Sequence, residues 1–237
     1  MTAPSACPYL SGKFERKVFT HLTGPSAAPL NDALSLVGFR RSQNIAYRPA
    51  CEECSACVSV RVLVDEFKPG KSFKRVVRQN DDLVAREVDA LATAEQYEVF
   101  NSYIEARHHD GGMADMTSYD YVMMIEESQV DSYIVEYRQN IPGRPDDSMG
   151  GELIAAVLID RLQNGLSMIY SFFQPQHTQR SLGSYLILDT IARAKALNLD
   201  YVYLGYWVEG SDKMAYKARF SPQEMLVGNI WRKSDLT

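Results

Sequence analysis

The sequence lacks any apolar run long enough to cross a bilayer. Its longest apolar stretches, such as residues 153–159, have the length of a strand, whereas a membrane-spanning helix needs about 20 apolar residues. A charged segment followed by an apolar stretch, the pattern of a secretory signal, is also missing from the N-terminus. The sequence therefore predicts a cytoplasmic protein without a membrane partner. Its 237 residues, 46% of them hydrophobic, suffice for one large core or two small ones.

A net positive charge, common in nucleic-acid-binding proteins, is missing as well. The formal net charge is −5, but it is unevenly distributed. Residues 1–80 hold 12 Lys and Arg against 6 Asp and Glu, whereas residues 81–237 hold 13 against 24. Such asymmetry indicates a localised surface for a polyanion. An uneven surface charge with no partner explains the same numbers equally well.

Cysteine is scarce, and three of the four cysteines form one cluster. The cluster is Cys51-x-x-Cys54-x-x-Cys57, and Cys7 is the fourth cysteine. In a cytosolic protein this spacing indicates a metal site more than disulfides. Thiolates suit zinc or an iron–sulfur cluster, which commonly take four of them, so Cys7 would have to fold back. The alternative is reduced structural or redox-sensitive thiols, since the second Cys-x-x-Cys pair of a zinc ribbon is absent.

Hydrophobic periodicity predicts an α+β protein. Apolar residues at spacings of three and four predict helices at 30–37, 94–108, 118–125, 179–197 and 213–219. Alternating or continuous apolar runs predict strands at 46–48, 58–64, 83–86, 132–137, 153–160, 167–173, 201–206 and 224–231. Residues 1–30, rich in Pro, Gly, Ser and Ala, are predicted to form a loop or a lightly ordered arm. We place a boundary near residue 85, between a smaller cysteine-containing α+β region (1–85) and a larger region (86–237).

The basic segment, residues 68–78, predicts a surface that binds nucleic acid. On a helix beginning near Ser72, one face carries four cations: Lys71, Lys74, Arg75 and Arg78. Such a face can follow phosphates, and Phe73 adds an aromatic ring. Arg40 and Arg41 add positive charge nearby in the sequence and are assigned to the same surface. A solvated helix face without a partner is the alternative.

Two other segments carry residues suited to binding an anion. Arg180-Ser181-Leu182-Gly183 opens the long helix, where small residues and the helix dipole favour an anionic group. Tyr185 then stands in place of the last glycine of a coenzyme A pyrophosphate turn and is expected to obstruct that pyrophosphate. Nearer the C-terminus, cations beside aromatic rings fit a terminal adenosine or an acidic side chain; these residues are Lys213, Tyr216, Lys217 and Arg219. The alternatives are helix–strand packing for Gly183 and a core position for Tyr216.

Together these segments resemble the bacterial aspartate/glutamate leucyltransferases, relatives of the eukaryotic arginyl-tRNA–protein transferases. The matching stretches follow one another along almost the whole chain. They are Cys7-Pro8-Tyr9-Leu10, Gly38-Phe39-Arg40-Arg41-Ser42, Tyr47-Arg48-Pro49 with the cysteine cluster, Arg107-His108-x-Asp110-Gly111-Gly112-Met113, Tyr170-Ser171-Phe172-Phe173, Arg180-Ser181-Leu182-Gly183, Tyr203-Leu204-Gly205-Tyr206-Trp207 and Lys213-Met214-Ala215-Tyr216-Lys217-Ala218-Arg219-Phe220. The order of elements likewise resembles the acyltransferase fold of the GNAT superfamily, an α+β sheet flanked by helices.

The resemblance implies an aminoacyltransferase of the N-degron pathway. Such an enzyme takes leucine from a charged tRNA and adds it to a protein whose N-terminal residue is Asp or Glu. The resemblance also implies an iron–sulfur cluster or zinc at the cysteines, although the reaction needs no cofactor because the aminoacyl ester is already activated. Three alternatives stay open: an arginyl-tRNA–protein transferase, a CoA-dependent N-acyltransferase of the same fold, and a non-enzymatic, metal-binding RNA adaptor.

Under this hypothesis each set of candidate residues has a role. The basic segment holds the tRNA acceptor stem, and the helix start at residues 180–183 holds the terminal phosphates or the developing oxyanion. Lys217 or Arg219 pairs with the carboxylate of the acceptor. Asp110, Tyr170 or a water molecule takes the proton from the acceptor's amine.

Overall fold

The computed structural model describes residues 1–107, 113–141 and 150–234. Within these ranges the chain forms an eight-stranded sheet, a three-stranded sheet and a two-stranded ribbon. Helices pack on both faces of the large sheet. The GNAT-like α+β class, a mixed sheet flanked by helices, is therefore confirmed. None of the helices in this part of the chain is long and apolar enough to span a membrane.

The large sheet is antiparallel except at one central pair. Its strands are β6 (Cys57–Leu63), β7 (Leu83–Asp89), β8 (Ser132–Gln139), β9 (Leu153–Leu162), β10 (Gly165–Phe173), β11 (Tyr201–Val208), β12 (Gln223–Val227) and β13 (Ile230–Lys233). Their order is β13–β12–β6–β11–β10–β9–β8–β7. Only β10 and β11 are parallel among these strands, and helix α5 (Leu182–Ala196) connects them, because a parallel pair needs a long crossover.

Helices cover both faces of the large sheet, which explains its continuous apolar strands. The other helices are α1 (Ala27–Leu36), α2 (Lys71–Arg78), α3 (Ala94–Arg107), α4 (Ser118–Glu126) and α6 (Asp212–Ala215), with single 3₁₀ turns at Thr178–Arg180 and Tyr216–Arg219. α2 and α5 pack on one face, and α3 and α4 pack on the other. In β9 every residue except Arg161 is buried, as expected for a strand covered on both sides.

Three features of the N-terminal region and the C-terminus differ from the prediction. Residues 1–30 contain β1 (Ser5–Ala6), β2 (Phe14–Glu15), β3 (Lys17–His21) and the start of α1 rather than a loop. β3 forms the three-stranded sheet with β5 (Ile45–Pro49) and β4 (Arg40–Ser42), in the order β3–β5–β4. The predicted strand at 224–231 is a hairpin, because Gly228 and Asn229 adopt positive φ and form a two-residue turn.

The large sheet takes strands from both sides of the predicted boundary. Residue 85 lies inside β7, and β6, from the first region, pairs with β11 and β12. The division into residues 1–85 and 86–237 therefore does not separate two sheets, and as a division into folding units it stays a prediction.

Arg41, on the three-stranded sheet, forms a buried ion pair with the large sheet. Its guanidinium donates to both carboxylate oxygens of Asp160 on β9, at 2.6 and 2.7 Å, and to the carbonyl oxygen of Gln43 at 2.9 Å. Ser132 completes the network by donating to Asp160 at 2.7 Å. Both charged side chains are only 1% exposed. Contrary to the prediction, Arg41 is therefore unavailable to tRNA, because it is buried and already paired with a carboxylate.

Candidate active site

The candidate active site lies where β10 and β11 stop pairing. The two strands pair only at Gly165–Ser167 and Tyr201–Tyr203. Beyond these positions β10 continues along β9 and β11 continues along β6, and each strand has an irregularity just past the last pair. We call the opening between Met168 on β10 and Gly205 on β11 the strand gap. Backbone groups freed by such a separation need other partners.

Arg40 reaches from the start of β4 into the strand gap. One terminal nitrogen of its guanidinium donates to Ser167 Oγ at 3.1 Å, and the other donates to the Met168 carbonyl oxygen. On the other strand, a Cβ at Gly205 would lie 2.9 Å from Arg40 Nε, and Gly205 also has a φ of +82°. Both facts favour glycine at this position. Arg40 thus lies within the strand gap, and not on the exposed tRNA surface to which the sequence assigned it.

Lys217 is the second cation at the strand gap. It is 7% exposed, and its Nζ donates to the Tyr206 carbonyl oxygen at 2.6 Å. Burial, followed by the positive charge of Arg40, lowers the pKa of Lys217 to about 7, against an opposing effect of Cys57. At neutral pH an exposed lysine keeps its proton, whereas Lys217 loses its proton as the pH rises through about 7.

Three tyrosines form a group beside Arg40. Tyr216, on the 3₁₀ turn, interacts electrostatically with Arg40 and with Tyr103 on α3, and Tyr103 interacts with Tyr170 on β10. Tyr216 is 44% exposed and so is not the core residue that the sequence offered as an alternative. Desolvation of its hydroxyl, followed by the neighbouring Tyr103, raises the pKa of Tyr216 to about 12. Burial and the neighbouring Tyr103 also raise the pKa of Tyr170. Phenols of this kind keep their protons at neutral pH and donate hydrogen bonds. Tyr170 is therefore better suited to donate a hydrogen bond than to act as the predicted base; Asp110, the other predicted base, lies outside the described residues.

Contacts within the protein occupy the start of α5. Arg180 forms an ion pair with Asp82, and its Nε donates to Asn80 Oδ1 at 3.0 Å. Gly183 packs against Phe173, whose ring would lie 3.5 Å from a Cβ at position 183. The Arg180 guanidinium is thus held by a carboxylate. An anion-binding role for Arg180 and Gly183 stays a prediction. A Cβ at position 183 would make only an ordinary van der Waals contact with Phe173, so helix–strand packing does not by itself require glycine there.

Tyr185 lies in the core and not at the mouth of the α5 turn. It is 9% exposed, and its ring makes an edge contact with Tyr137 at a centroid distance of 5.7 Å. The predicted obstruction of a coenzyme A pyrophosphate by Tyr185 is therefore wrong, because the helix directs this side chain toward the sheet.

The predicted basic helix forms, and its cations are exposed. α2 buries Phe73 and Val76 and exposes four cations, Lys71, Lys74, Arg75 and Arg78. None of the four forms an ion pair with a residue that the structure describes. The guanidinium of Arg219, also exposed, lies 5.4 Å from the Phe73 ring. We call α2 together with Arg219 the basic surface; Lys213 is exposed nearby in sequence, on α6.

The four cysteines line one cavity of about 570 Å³. Cys7 does fold back onto the cluster, since it shares this cavity with Cys51, Cys54 and Cys57. All four thiols are free and partly buried. Burial, followed by the charges of the other three cysteines, raises the pKa of Cys57 to about 11. Cys57 is therefore a neutral thiol at neutral pH unless a cation binds to it.

The cysteine arrangement does not match a formed metal site. Four thiols are a suitable donor set for zinc or an iron–sulfur cluster. However, no group of three or more His, Cys, Asp or Glu side chains is placed to hold a metal within residues 1–107, 113–141 and 150–234. The Cys51 thiol instead contacts the carbonyl oxygen of Arg16 at 3.9 Å. Metal binding by these cysteines stays a prediction.

Family comparison identifies the chain. The family description "Arginine-tRNA-protein transferase, C terminus" matches residues 95–227, and its N-terminal counterpart matches residues 5–75. The chain belongs to the arginine-tRNA-protein transferase family. As a member it is an aminoacyltransferase. The interval between the two matched segments of this transferase contains residue 85, where the sequence boundary was placed.

Relatives of the transferase match it over nearly its whole length. An aspartate/glutamate leucyltransferase of Bradyrhizobium sp. strain BTAi1 is 56% identical over 235 residues, covering 99% of this chain and 91% of the relative. One of Afipia carboxidovorans is 58% identical over 238 residues, covering 100% and 93%. One of Rhizobium leguminosarum bv. trifolii is 56% identical over 236 residues, covering 99% and 92%.

Solved structures resemble this transferase only loosely. FemX has a TM-score of 0.49 at 8% identity, covering 84% of this chain and 65% of FemX. The C-terminal domain of a putative lysylphosphatidylglycerol synthetase from Agrobacterium fabrum has a TM-score of 0.46 at 12% identity, covering 68% and 50%. These values are too low to indicate a shared activity.

The strand gap itself was not predicted from the sequence. Gly205 lies inside the apolar strand pattern of residues 201–206, and an isolated glycine in a strand is a signal of a bulge or of close approach by another group. That signal marks the irregularity in β11. Nothing in the sequence indicates which group approaches Gly205, because Arg40 is separated from it by most of the chain.

The low pKa of Lys217 predicts a pH-dependent difference in stability between the wild-type protein and Lys217→Met. The folded protein releases the Lys217 proton near pH 7, whereas an unfolded lysine holds it up to about pH 10.4. Between these values the unfolded state binds more protons, so raising the pH favours the folded wild type by up to about 1.4 kcal/mol per pH unit. Urea unfolding of both proteins at pH 7 and pH 9 measures this change. Equal changes in both proteins would show that Lys217 is protonated in the folded state.

Proposed function

We propose that this protein transfers leucine from leucyl-tRNA to proteins that begin with Asp or Glu. The observation that carries the proposal is its 56–58% identity, over 98–100% of its length, to relatives named aspartate/glutamate leucyltransferase. The family description supports tRNA as the donor and a protein as the acceptor. Because charged tRNA is cytoplasmic, we place the reaction in the cytoplasm.

The reaction needs positioning and proton transfer more than activation. The acceptor's α-amine, with an ordinary pKa of about 7.7–8.0, loses a proton and attacks the ester carbonyl carbon of leucyl-tRNA. An amide bond forms as the ester bond breaks, and the ribose oxygen of tRNA takes up a proton. The energy of the ester is sufficient, so neither ATP nor a covalent enzyme intermediate is required. Holding amine and ester in line supplies several kcal/mol of the barrier reduction.

The strand gap supports the chemical step. Tyr170 and Tyr216 supply protonated hydroxyls that can donate to the carbonyl oxygen as it gains negative charge. Lys217 lies at the same opening, consistent with its predicted place in the substrate site. Arg219, the other predicted partner of the acceptor carboxylate, lies over Phe73 on the protein's exterior instead. We therefore assign Arg219 to the tRNA and not to the acceptor.

The basic surface is the proposed site for the tRNA acceptor stem. Replacing Lys74 and Arg78 together by Gln removes two exposed cations one helical turn apart. The expected result is a rise of about tenfold in the KM for leucyl-tRNA, with the KM for the acceptor peptide unchanged. The salt dependence of tRNA binding should become shallower by about 1.5, because each phosphate contact contributes about 0.7–0.9 to the slope. Steady-state kinetics and binding at several salt concentrations measure both.

A control for the tRNA prediction is Lys195→Gln, which removes an exposed lysine on α5 outside the basic surface. This variant should leave both the KM for leucyl-tRNA and the salt slope unchanged. Equal effects of the control and the double variant would mean that the basic surface has no particular role.

The decisive experiment is transfer of radiolabelled leucine, and separately arginine, from charged tRNA. Acceptor peptides begin with Asp, Glu, Lys or Ala. Leucine on the Asp and Glu peptides alone is the expected result. The family description favours arginine as a second candidate donor, and arginine on the same peptides would correct the donor while keeping the reaction. Transfer of neither amino acid would refute the proposed function.

A further inference from the structure

The strand gap holds two basic side chains, Arg40 and Lys217, without an acidic partner among the described residues. The three fully buried arginines of the described residues face carboxylates, in the pairs Arg41–Asp160, Arg61–Glu224 and Arg138–Glu136, whereas Arg40 is partly buried and faces none. Arg40 contacts a hydroxyl and a carbonyl oxygen, and Lys217 contacts a carbonyl oxygen. Shielding a charge from water is costly unless an opposite charge compensates it. An anionic group from a ligand would supply that compensation.

The titratable groups around this site do not supply the missing charge. Tyr216 and Tyr103 keep their protons at neutral pH because desolvation of the hydroxyl raises the pKa of each phenol. The positive charge of Arg40 is therefore uncompensated within the described part of the chain.

Arg40 is held in place and still has free donors. Its contacts with Ser167 Oγ and the Met168 carbonyl oxygen fix the guanidinium against β10. A guanidinium has five N–H donors, and these contacts use two. The remaining donors can meet a carboxylate, whose flat shape and two oxygens match a guanidinium better than they match an ammonium group.

We propose that Arg40 binds the side-chain carboxylate of the acceptor's N-terminal Asp or Glu and so determines the acidic preference of the enzyme. This inference rests on the proposed function and names the residue that recognises its acceptor. A carboxylate is favoured over a tRNA phosphate because Arg40 lies inside the gap, near enough to Tyr216 and Lys217 to interact with both electrostatically. The exposed cations that suit a polynucleotide lie on α2 instead.

The test measures binding of two peptides that differ only in their first residue, Asp or Asn. Fluorescence anisotropy of labelled peptides gives the preference of each protein for Asp over Asn. The wild type should prefer Asp at least tenfold, as expected for charge-assisted hydrogen bonds, and Arg40→Gln should bind both peptides equally. Arg40→Lys, which keeps the charge but not the paired donors, should recover part of the preference. Arg232→Gln, an exposed arginine on β13, should behave like the wild type.

If Arg40 only stabilised the fold, Arg40→Gln would bind both peptides more weakly by the same factor and would keep the preference for Asp over Asn. That result would overturn the proposal. The proposal would also be overturned if Arg40→Gln kept the full preference for the Asp peptide, because the preference would then come from another residue such as Lys217. Weaker binding of leucyl-tRNA with an intact peptide preference would assign Arg40 to a phosphate instead. The binding ratio is measured without transfer, so a lack of transfer activity refutes the proposed function separately. A wild type that binds both peptides equally refutes the assignment of Arg40 itself.

Discussion

Replacing Arg41 by alanine is expected to destabilise the protein by about 3–5 kcal/mol, since the change leaves the Asp160 carboxylate buried without its positive partner. Asp160 is 1% exposed and would retain only the hydroxyl of Ser132 among the contacts it makes here. A typical domain has about 5–15 kcal/mol of total stability. Urea unfolding followed by circular dichroism therefore should show a large decrease in the midpoint.

Two further variants test whether the loss of stability comes from the buried ion pair or would follow from removing any positive side chain. Lys233→Ala breaks an ion pair with Glu66 in which both side chains are more than half exposed, and it should cost about 1 kcal/mol or less. Replacing Arg41 by Met and Asp160 by Leu together should recover much of the loss, because no unpaired charge remains. A cost for Arg41→Ala as small as that of Lys233→Ala would show that water reaches Asp160.

Gly205→Ala is expected to destabilise the protein by roughly 2–4 kcal/mol through two separate costs. The first is the φ of +82°, which alanine adopts with strain, and the second is a Cβ 2.9 Å from Arg40 Nε. Relief of this contact requires Arg40 to move away from β11. The variant should therefore also lose the preference for acidic acceptors, measured with the Asp and Asn peptides.

Gly228→Ala is the matched control for Gly205→Ala. Gly228 has a φ of +57°, and a Cβ there would meet nothing within 4 Å. Its replacement should cost only the strain of the left-handed backbone, about 1–2 kcal/mol, and should leave the peptide preference intact. If Gly205→Ala behaved in the same way as Gly228→Ala, contact with Arg40 would not be the reason for glycine at position 205.

Arg40 and Arg41 show where sequence analysis reaches its limit. They are consecutive, equally basic and part of one matching motif, and both were assigned to the tRNA surface. On strand β4 consecutive side chains point to opposite sides. One guanidinium meets Asp160 and the other meets Ser167. Their different roles depend on strands more than a hundred residues away along the chain.

Local patterns determined the elements, and tertiary contacts determined the site. Helices α2 to α5 and strands β6 to β11 were predicted because apolar periodicity is local and depends on which face is buried. The basic face of α2 followed from the same periodicity, and the family followed from motifs along the chain. The turn at Gly228 and Asn229 was missed although its signal is local. Burial of Lys217, the core position of Tyr185 and the strand gap could not be predicted, because each arises only when distant strands pack together and exclude water from particular side chains.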